Sequence, residues 1–509
     1  ATVGLLARLL AVADGRQFDR ATLREGLLSD DFRVRVQSAL AAGRIGDARA
    51  VELLVAALTD SIGAVQAAAA FALGLLRDPA AVEPLLGVVR SVPPEAQGTG
   101  QMEGVTALAK IGGEAGARAI QQIIEGVPLG RPVPAAASVA LLEAWRLGTR
   151  APAAQLLAYA ENADPVVQGR ALFSLGRLRL AAAQPLMLRA LGSPSPDVRA
   201  IAARGMSASL ADSTALGRGA VSARLRPLVN DESALVRINA LRALASFRGD
   251  STLAPAAIAA LADADAGVVV QAETTLGVLG GSLAIAALRR AAGGAAFALR
   301  RQAIIAQAEA DTAAGTAAAS AIAADLDWHW RSVAAEAFTT ARNRPRLQSQ
   351  VADPDGRVVA QALQGLTRLA SDSDAALLSQ ARALLEHPDA AVRSIAADIL
   401  GRHPDPADVD RLVVAYRQGA GDAFNDARLS AVAALGAIAA ASTAGRLRVA
   451  TAFVTGLPRP DDYLVRRLAA AKIPEALDEW GSGDGPIATG KSDADYREIV
   501  RRYLLPALR

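Results

Sequence analysis

The stretch DFRVRVQSALAAGRIGD, from Asp31 to Asp47, sets the pattern for most of this 509-residue chain. An acidic residue opens it, and apolar residues follow at helical spacing: Val34, Ala39 and Leu40. An aspartate before such a stripe is typical of a helix N-cap. Gly43 permits either close packing or a helix stop. The stretch therefore predicts one amphipathic helix that begins after Asp31.

Related stretches recur along the sequence, including SPDVRAIAARG, HPDAAVRSIAADILG and NDARLSAVAALG. Each copy can be aligned on one position, here called the anchor, which follows the first apolar residue of the helix. The anchor is most often Arg or Gln, two side chains that can donate hydrogen bonds to carbonyls or to an aspartate of a neighbouring turn. The fourteen predicted anchors are Arg35, Gln66, Gln101, Ala137, Gln168, Arg199, Arg237, Gln271, Arg300, Arg331, Val359, Arg393, Arg428 and Arg466.

A second helix follows each anchor helix, as in residues 50–58 and 80–89. A fixed repeat of helical hairpins, without alternating strand patterns, predicts an all-α fold, an α-solenoid (superhelix) of about fourteen repeats. The abundant alanine fits helices that pack at close range. We expect the solenoid to span residues 1–475, a Gly-rich linker to span 476–491 and a C-terminal amphipathic helix to span 492–509.

These residues resemble the HEAT-repeat family, including its short bacterial variants related to phycobilin-lyase repeats. The motifs that carry the resemblance are the Asp-x-x-Val-Arg run at 389–393 and the Ala-Leu-Gly run at 434–436. The resemblance covers roughly residues 20–475 and implies a solenoid that holds another protein. It does not identify that partner, because a fold alone does not specify a function.

The amino-acid composition excludes several kinds of metal site and catalytic group. The chain has no cysteine, so thiolate metal sites and cysteine nucleophiles are excluded, and only three histidines. His387 and His403 each stand beside a proline and read as turn residues. No metal, cofactor or catalytic residue is predicted. A net charge of +3 with scattered arginine doublets argues against a nucleic-acid partner, and the sequence predicts no membrane span.

The segment Gly485–Ser492 matches the spacing of a phosphate-binding loop, G-x-x-x-x-G-K-S. Such a loop follows a buried strand, whereas a polar turn precedes this segment. Asp493 and Asp495 would also repel phosphate. We therefore expect no nucleotide there, and expect Ser492 to cap the last helix.

Asp327-Trp328-His329-Trp330-Arg331 is the main aromatic concentration. Trp and Arg are common in the energetic centres of protein interfaces, which makes Trp328, His329, Trp330 and Arg331 the candidate partner-binding residues. The alternative interpretation is that the tryptophans fill the core between repeats.

The apolar face of the C-terminal helix, which includes Tyr496, Val500 and Tyr503, predicts a packing partner: the last repeat or a further domain. Residues 489–508 resemble the connector of bacterial proteins in which HEAT repeats precede a cyclophilin-type peptidyl-prolyl isomerase, whose signature is absent from residues 1–509. The expected function is thus a non-catalytic protein-binding scaffold. The alternatives are the substrate-binding arm of an isomerase or foldase whose catalytic domain lies beyond residue 509 and, more weakly, a bilin lyase subunit. A start at Ala1 favours a bacterial periplasmic or envelope location, with the cytoplasm as the alternative.

Overall fold

The computed structural model describes residues 2–93, 96–127, 132–212, 217–371, 374–455, 457–458, 463–473 and 493–507. The chain forms two compact units. Unit 1 comprises residues 1–247 together with 491–509, and unit 2 comprises residues 248–490. The predicted linker and the phosphate-loop spacing, 485–492, lie outside the described residues.

The first part of unit 1 contains sixteen described α-helices. They are α1 (Thr2–Asp14), α2 (Arg20–Leu27), α3 (Phe32–Ile45), α4 (Val51–Ala57), α5 (Gly63–Leu76), α6 (Val82–Arg90), α7 (Thr99–Ile111), α8 (Gly113–Glu125), α9 (Ala135–Glu143), α10 (Ala153–Tyr159), α11 (Pro165–Leu178), α12 (Gln184–Ala190), α13 (Pro196–Gly205), α14 (Ala208–Asp212), α15 (Gly217–Leu225) and α16 (Ala234–Ala245).

Unit 2 continues the same alternation. Its described α-helices are α17 (Ala254–Ala259), α18 (Ala266–Leu279), α19 (Ser282–Ala291), α20 (Phe297–Ala310), α21 (Thr312–Ser320), α22 (Trp328–Thr340), α23 (Arg344–Gln350), α24 (Gly356–Leu369), α25 (Ala375–Leu384), α26 (Ala390–Arg402), α27 (Val409–Gln418), α28 (Asp426–Ala441), α29 (Thr443–Val454) and α30 (Tyr463–Lys472). The chain then returns to unit 1 with α31 (Asp493–Ile499), a π-helical turn (Val500–Leu504) and α32 (Leu505–Ala507).

The architecture is an all-α solenoid, as predicted, and the described residues contain no strand. Each of the fourteen predicted anchors lies on a different helix, and these helices are called anchor helices below. They are α3, α5, α7, α9, α11, α13, α16, α18, α20, α22, α24, α26, α28 and α30. Within each unit, successive anchor helices pack against one another, and the intervening second helices pack on them.

Aspartate caps begin many anchor helices, as the sequence predicts. The Asp31 carboxylate accepts a hydrogen bond from the backbone N–H of Arg33. Asp164, Asp355 and Asp389 accept the corresponding bond at α11, α24 and α26. Each carboxylate satisfies an N–H group that the first helical turn would otherwise leave without a partner.

The anchor arginines link neighbouring repeats. Arg35 donates from Nε and Nη2 to the Asp60 carboxylate, at 2.7 and 3.1 Å, and from Nη1 to the carbonyls of Ser29 and Asp30. Burial, the largest single effect, raises the pKa of Asp60, but the hydrogen bonds from Arg35 and the Ile62 N–H, together with the charge of Arg35, bring that pKa below its ordinary value. The same arrangement joins Arg199 to Asp231 and Arg331 to Asp353. Arg393 reaches Asp422 through Nη2 alone, and its Nε is buried without a hydrogen-bond partner among the described residues. We call this series the arginine–aspartate ladder.

Glutamine anchors bond the equivalent loops with single neutral hydrogen bonds, which are weaker than the bonds of the arginines. The amide of Gln66 donates to the Asp60 carbonyl at 2.7 Å, and that of Gln168 donates to the Ala160 carbonyl at 3.1 Å. At α18 the structure shifts the assignment. The helix begins after Asp265, so the position equivalent to Arg35 is the buried Val269 and not Gln271. The run of three valines hid this register in the sequence.

Close packing, rather than helix termination, explains the glycine that recurs in anchor helices. A Cβ atom added to Gly43 would lie 2.9 Å from the Cα of Ala72 on the next anchor helix. A Cβ on Gly74 would lie 3.1 Å from the Cα of Ala107. Small residues at these contacts let the backbones approach, which accounts for the alanine-rich core.

The C-terminal helix packs against α1, the first helix of the chain, which is a partner that the sequence pattern does not predict. Tyr496 and Val500 are buried there, and the Tyr496 hydroxyl lies 3.0 Å from the Asp14 carboxylate, to which it donates. Tyr503 is exposed although the sequence pattern places it on the same face. The π-helical turn inserts an extra residue per turn and so rotates Tyr503 away from that face.

Candidate functional site

The predicted aromatic residues gather at the beginnings of α20 and α22 in unit 2. We call Phe297, Trp328, His329 and Trp330 the aromatic cluster. The rings of Trp328 and His329 stack with centroids 3.8 Å apart, and those of Phe297 and Trp330 lie 4.6 Å apart. The Asp327 carboxylate fixes the helix start by accepting the His329 N–H at 2.9 Å.

Two arginines lie on the tryptophan faces. The guanidinium carbon of Arg357 is 3.5 Å from the centroid of Trp328, and that of Arg300 is 4.1 Å from the centroid of Trp330. Arg357 also donates two hydrogen bonds to Asp355, at 2.9 and 2.7 Å. These bonds lower the pKa of Asp355 to about 2. Both guanidinium-to-centroid distances are within the range of cation–π contacts.

The structure separates Arg331 from its three predicted companions. Its guanidinium belongs to the ladder, where Nε and Nη2 donate to Asp353 at 2.8 and 3.0 Å and Nη1 donates to the carbonyls of Asp325 and Leu326. Its side chain is largely buried. The contacts of Arg331 are therefore structural ones.

The two tryptophans are partly buried, so the core-filling interpretation accounts for part of their surface. Trp330 is half-buried and packs on the core of unit 2, as a filling residue would. Trp328 is also half-buried and His329 is exposed. Phe297 is 44% exposed and Leu326, in the loop before α22, is 100% exposed. The cluster and the neighbouring Leu326 thus expose aromatic and aliphatic side chains to solvent.

An apolar groove in unit 1 was not predicted. It has a volume of about 430 Å³ and lies between the anchor helices α11, α13 and α16. Val166 and Leu235 are 57% and 52% exposed at its edges, and Phe173 and Ile201 line it. Arg170 lines the groove as well, and its Nη1 donates to the Ser138 hydroxyl at 2.6 Å.

A sequence signal for this groove exists at the second residue of each anchor helix. Four anchor helices place a charged or polar residue there, namely Arg33, Asp197, His329 and Arg357, and most of the others place alanine or glycine. α11 and α16 place the large apolar residues Val166 and Leu235 there. These two side chains line one groove, and contiguous exposed apolar patches of this kind indicate binding sites.

The described residues contain no group of three or more His, Asp or Glu side chains placed to hold a metal ion. His387 is a turn residue, as predicted. Its Nδ1 accepts the Asp389 N–H, and its carbonyl accepts a bond from Arg393. No helix in the described ranges is both long enough and apolar enough to cross a membrane.

Comparison with known proteins identifies the repeats. A family model of HEAT repeats matches residues 20–99 and 153–216. No curated protein matches the sequence.

The solved structures that are similar to this chain include three karyopherin or importin structures. Kap121p is 13% identical with a TM-score of 0.46, over 99% of this chain and 67% of that chain. Kap95p, from a study of its binding to RanGDP, is 11% identical with a TM-score of 0.49, over 95% of this chain and 79% of that one. Importin beta is 14% identical with a TM-score of 0.42, over 90% and 67%. The helix order establishes that this chain is an α-solenoid, and the family model identifies HEAT repeats at residues 20–99 and 153–216.

Proposed function

We propose that the chain is a protein-binding scaffold that grips a partner and organises an assembly. The observation that carries the proposal is the apolar groove of unit 1, where Val166 and Leu235 stand exposed beside a cavity of about 430 Å³. Exposed side chains of this kind gain free energy when a partner covers them, about 25 cal/mol for each Å² of apolar area.

The groove suits an apolar segment of a polypeptide. Its walls are three consecutive anchor helices, and its polar lining comes from Arg170, Asp197, Arg204 and Asn239. Apolar walls with a few polar groups at the margins are typical of peptide-binding surfaces, where the centre supplies affinity and the margin supplies specificity. The aromatic cluster of unit 2 is the second surface that we propose for partner contact.

The test replaces both exposed groove residues in the full chain, Val166→Glu with Leu235→Glu, and compares affinity capture with the wild type. Leu28→Glu is the matched control, because Leu28 is an exposed leucine of unit 1 outside the groove. We expect partner recovery to fall about tenfold or more in the groove variant, as for a truncated interface centre, and to persist in the control. Equal recovery by both variants would contradict the proposal.

A cross-linking experiment locates the contact independently. A photo-reactive amino acid at Leu235 should form adducts with the recovered partner, and the same group at Leu28 should not. Adducts at Leu28 alone would place the partner elsewhere and count against the groove.

A further inference from the structure

Arg300 occupies an anchor position but lacks the ladder contacts that its equivalents make. It lies four residues after the N-cap Ala296, as Arg35 follows Asp31 and Arg331 follows Asp327. Those two equivalents each make paired hydrogen bonds to an aspartate two residues before the N-cap of the next anchor helix: Asp60 and Asp353. The corresponding residue for Arg300 is Asp325.

Asp325 is engaged without Arg300. Its carboxylate accepts the Asp327 N–H at 2.9 Å, and its carbonyl accepts Nη1 of Arg331. In the described part of the chain no carboxylate forms an ion pair with Arg300. Its Nε is buried and has no hydrogen-bond partner. A guanidinium nitrogen in that state is costly, because it has lost water without gaining an acceptor.

The size of Trp330 explains why Arg300 does not form the ladder bonds to Asp325. Trp330 is the third residue after the N-cap of its helix, where other anchor helices carry the fully buried valines Val65, Val236 and Val358. An indole is too large for that space, so Trp330 remains half-buried and offers its ring face to Arg300 at 4.1 Å. The contact fixes the plane of a guanidinium whose donors lack an acidic partner.

The other cations around the cluster are already paired. Arg357 bonds Asp355, Arg301 bonds Glu336 and Arg331 bonds Asp353. The fully exposed Leu326 and the partly exposed Phe297 form the apolar surface of the cluster. The aromatic cluster therefore combines an apolar surface with one arginine that lacks a carboxylate partner.

We propose that the aromatic cluster docks an acidic–hydrophobic peptide segment of a partner protein. An Asp or Glu carboxylate of the segment bonds the terminal Nη1 and Nη2 groups of Arg300, because Nε is buried, and a neighbouring apolar side chain packs on Phe297 and Leu326. Charge complementarity supports this occupant, because a planar guanidinium forms its strongest bonds with a carboxylate in the bidentate geometry. This inference rests on the proposed protein-binding function and names the class of ligand at one of its two surfaces.

The test selects random phage-displayed peptides on the full chain and then measures anisotropy of labelled synthetic copies. We expect the enriched peptides to contain Asp or Glu beside Leu, Ile, Val or Phe. Arg300→Gln should weaken them about tenfold to hundredfold, the loss expected for a charge-assisted bond. Replacing the acidic residue of the peptide by its amide should reduce the affinity by the same factor. The amide peptide should bind Arg300→Gln about as weakly as it binds the wild type.

Arg357→Gln is the matched control. Arg357 also stacks on a tryptophan of the cluster but already bonds Asp355, so its loss should weaken binding by less than about threefold. Arg300→Lys, which keeps the charge without the fork, should restore part of the affinity. Arg300→Gln should leave the melting temperature unchanged, because no ladder bond is lost, whereas Arg331→Gln should lower it.

Enriched peptides without acidic residues, equal losses from Arg300→Gln and Arg357→Gln, or no enriched peptide at all would each overturn the inference. If the selected peptides lose affinity in the groove variant and not in Arg300→Gln, the inference about the aromatic cluster is overturned and the scaffold function is supported. Failure of the groove substitutions to affect any partner, together with no peptide binding at the cluster, would overturn both.

Discussion

Arg199 on α13 holds Asp231 of the next repeat through two hydrogen bonds, from Nε at 2.7 Å and from Nη2 at 2.9 Å. Asp231 also accepts the Ser233 N–H, and its carbonyl accepts Nη1 of Arg237. Asp231 thereby connects two successive anchor helices. Contacts of this kind fix the position of each repeat relative to the next within unit 1.

Asp231→Asn should lower the free energy of unfolding by about 2 to 3 kcal/mol, because the largely buried Arg199 then keeps only the exposed Glu232 as an acidic partner. Chemical denaturation measures the loss. Asp212→Asn is the control, since Asp212 and Arg218 form an exposed pair that contributes at most about 1 kcal/mol. Similar losses in both variants would show that the ladder contributes no more than a surface pair.

Asp231 should also give unit 1 an acid-dependent stability. The bond from Arg199 holds the pKa of Asp231 below its ordinary value. Its contribution is therefore complete above the unfolded pKa, about 4, and is lost as the pH falls through the lower folded value. Acid denaturation should show a shallower slope for Asp231→Asn than for the wild type, and identical slopes would exclude this linkage.

Glu273 should produce the opposite dependence in unit 2. Both of its carboxylate oxygens are buried without a hydrogen-bond partner, and burial raises its pKa from 4.5 to about 7. The folded state therefore favours the protonated form, so the stability is complete below pH 4.5 and falls as the pH rises through about 7. Between about pH 5 and 8 the wild type should lose about 2 to 3 kcal/mol relative to Glu273→Gln. Parallel curves in urea denaturation would contradict this prediction.

Gly43→Ala should destabilise the packing of α3 on α5 by about 1 to 3 kcal/mol, because the new methyl group meets the Ala72 backbone at 2.9 Å. Gly87→Ala is the control. Gly87 lies inside α6 with nothing within 4 Å of an added Cβ, so alanine there should stabilise the helix by about 0.5 to 1 kcal/mol. Thermal melting distinguishes the two signs.

Tyr496→Ala should release the C-terminal helix from α1, since Tyr496 is buried there and bonds Asp14. Hydrogen exchange of α1 amides should become faster. Tyr503→Ala, at an exposed tyrosine of the same segment, should leave that exchange unchanged. Equal protection of α1 in both variants would show that Tyr496 does not hold the contact.

Much of the repeat architecture could be predicted because its causes are local. An aspartate cap such as Asp31, an apolar stripe and a polar anchor such as Arg35 lie within a few residues of one another, so one copy of the pattern contains the evidence for one helix. The predicted register differs at four helices: Gln101, Ala137 and Arg428 lie three residues after their N-caps instead of four, and Gln271 lies six residues after Asp265. The association of the repeats with a peptidyl-prolyl isomerase, their bacterial origin and an envelope location stay predictions.

The candidate surfaces depend on contacts between repeats, which a local pattern does not contain. Trp328 and His329 were predicted as surface contacts from residue type. The displacement of Arg300 by Trp330 requires knowing that the indole enters a space that fits valine. The groove requires three successive repeats to place their outward side chains side by side. The contact of Tyr496 with Asp14 joins opposite ends of the sequence.

A hydrogen-exchange footprint of the captured partner on the full chain tests the scaffold proposal most directly. If the groove grips the partner, amides of α11, α13 and α16 should exchange more slowly in the complex, and those of α4 and α6 should keep their free rates. A partner that binds without protecting any of the three groove helices would contradict the account.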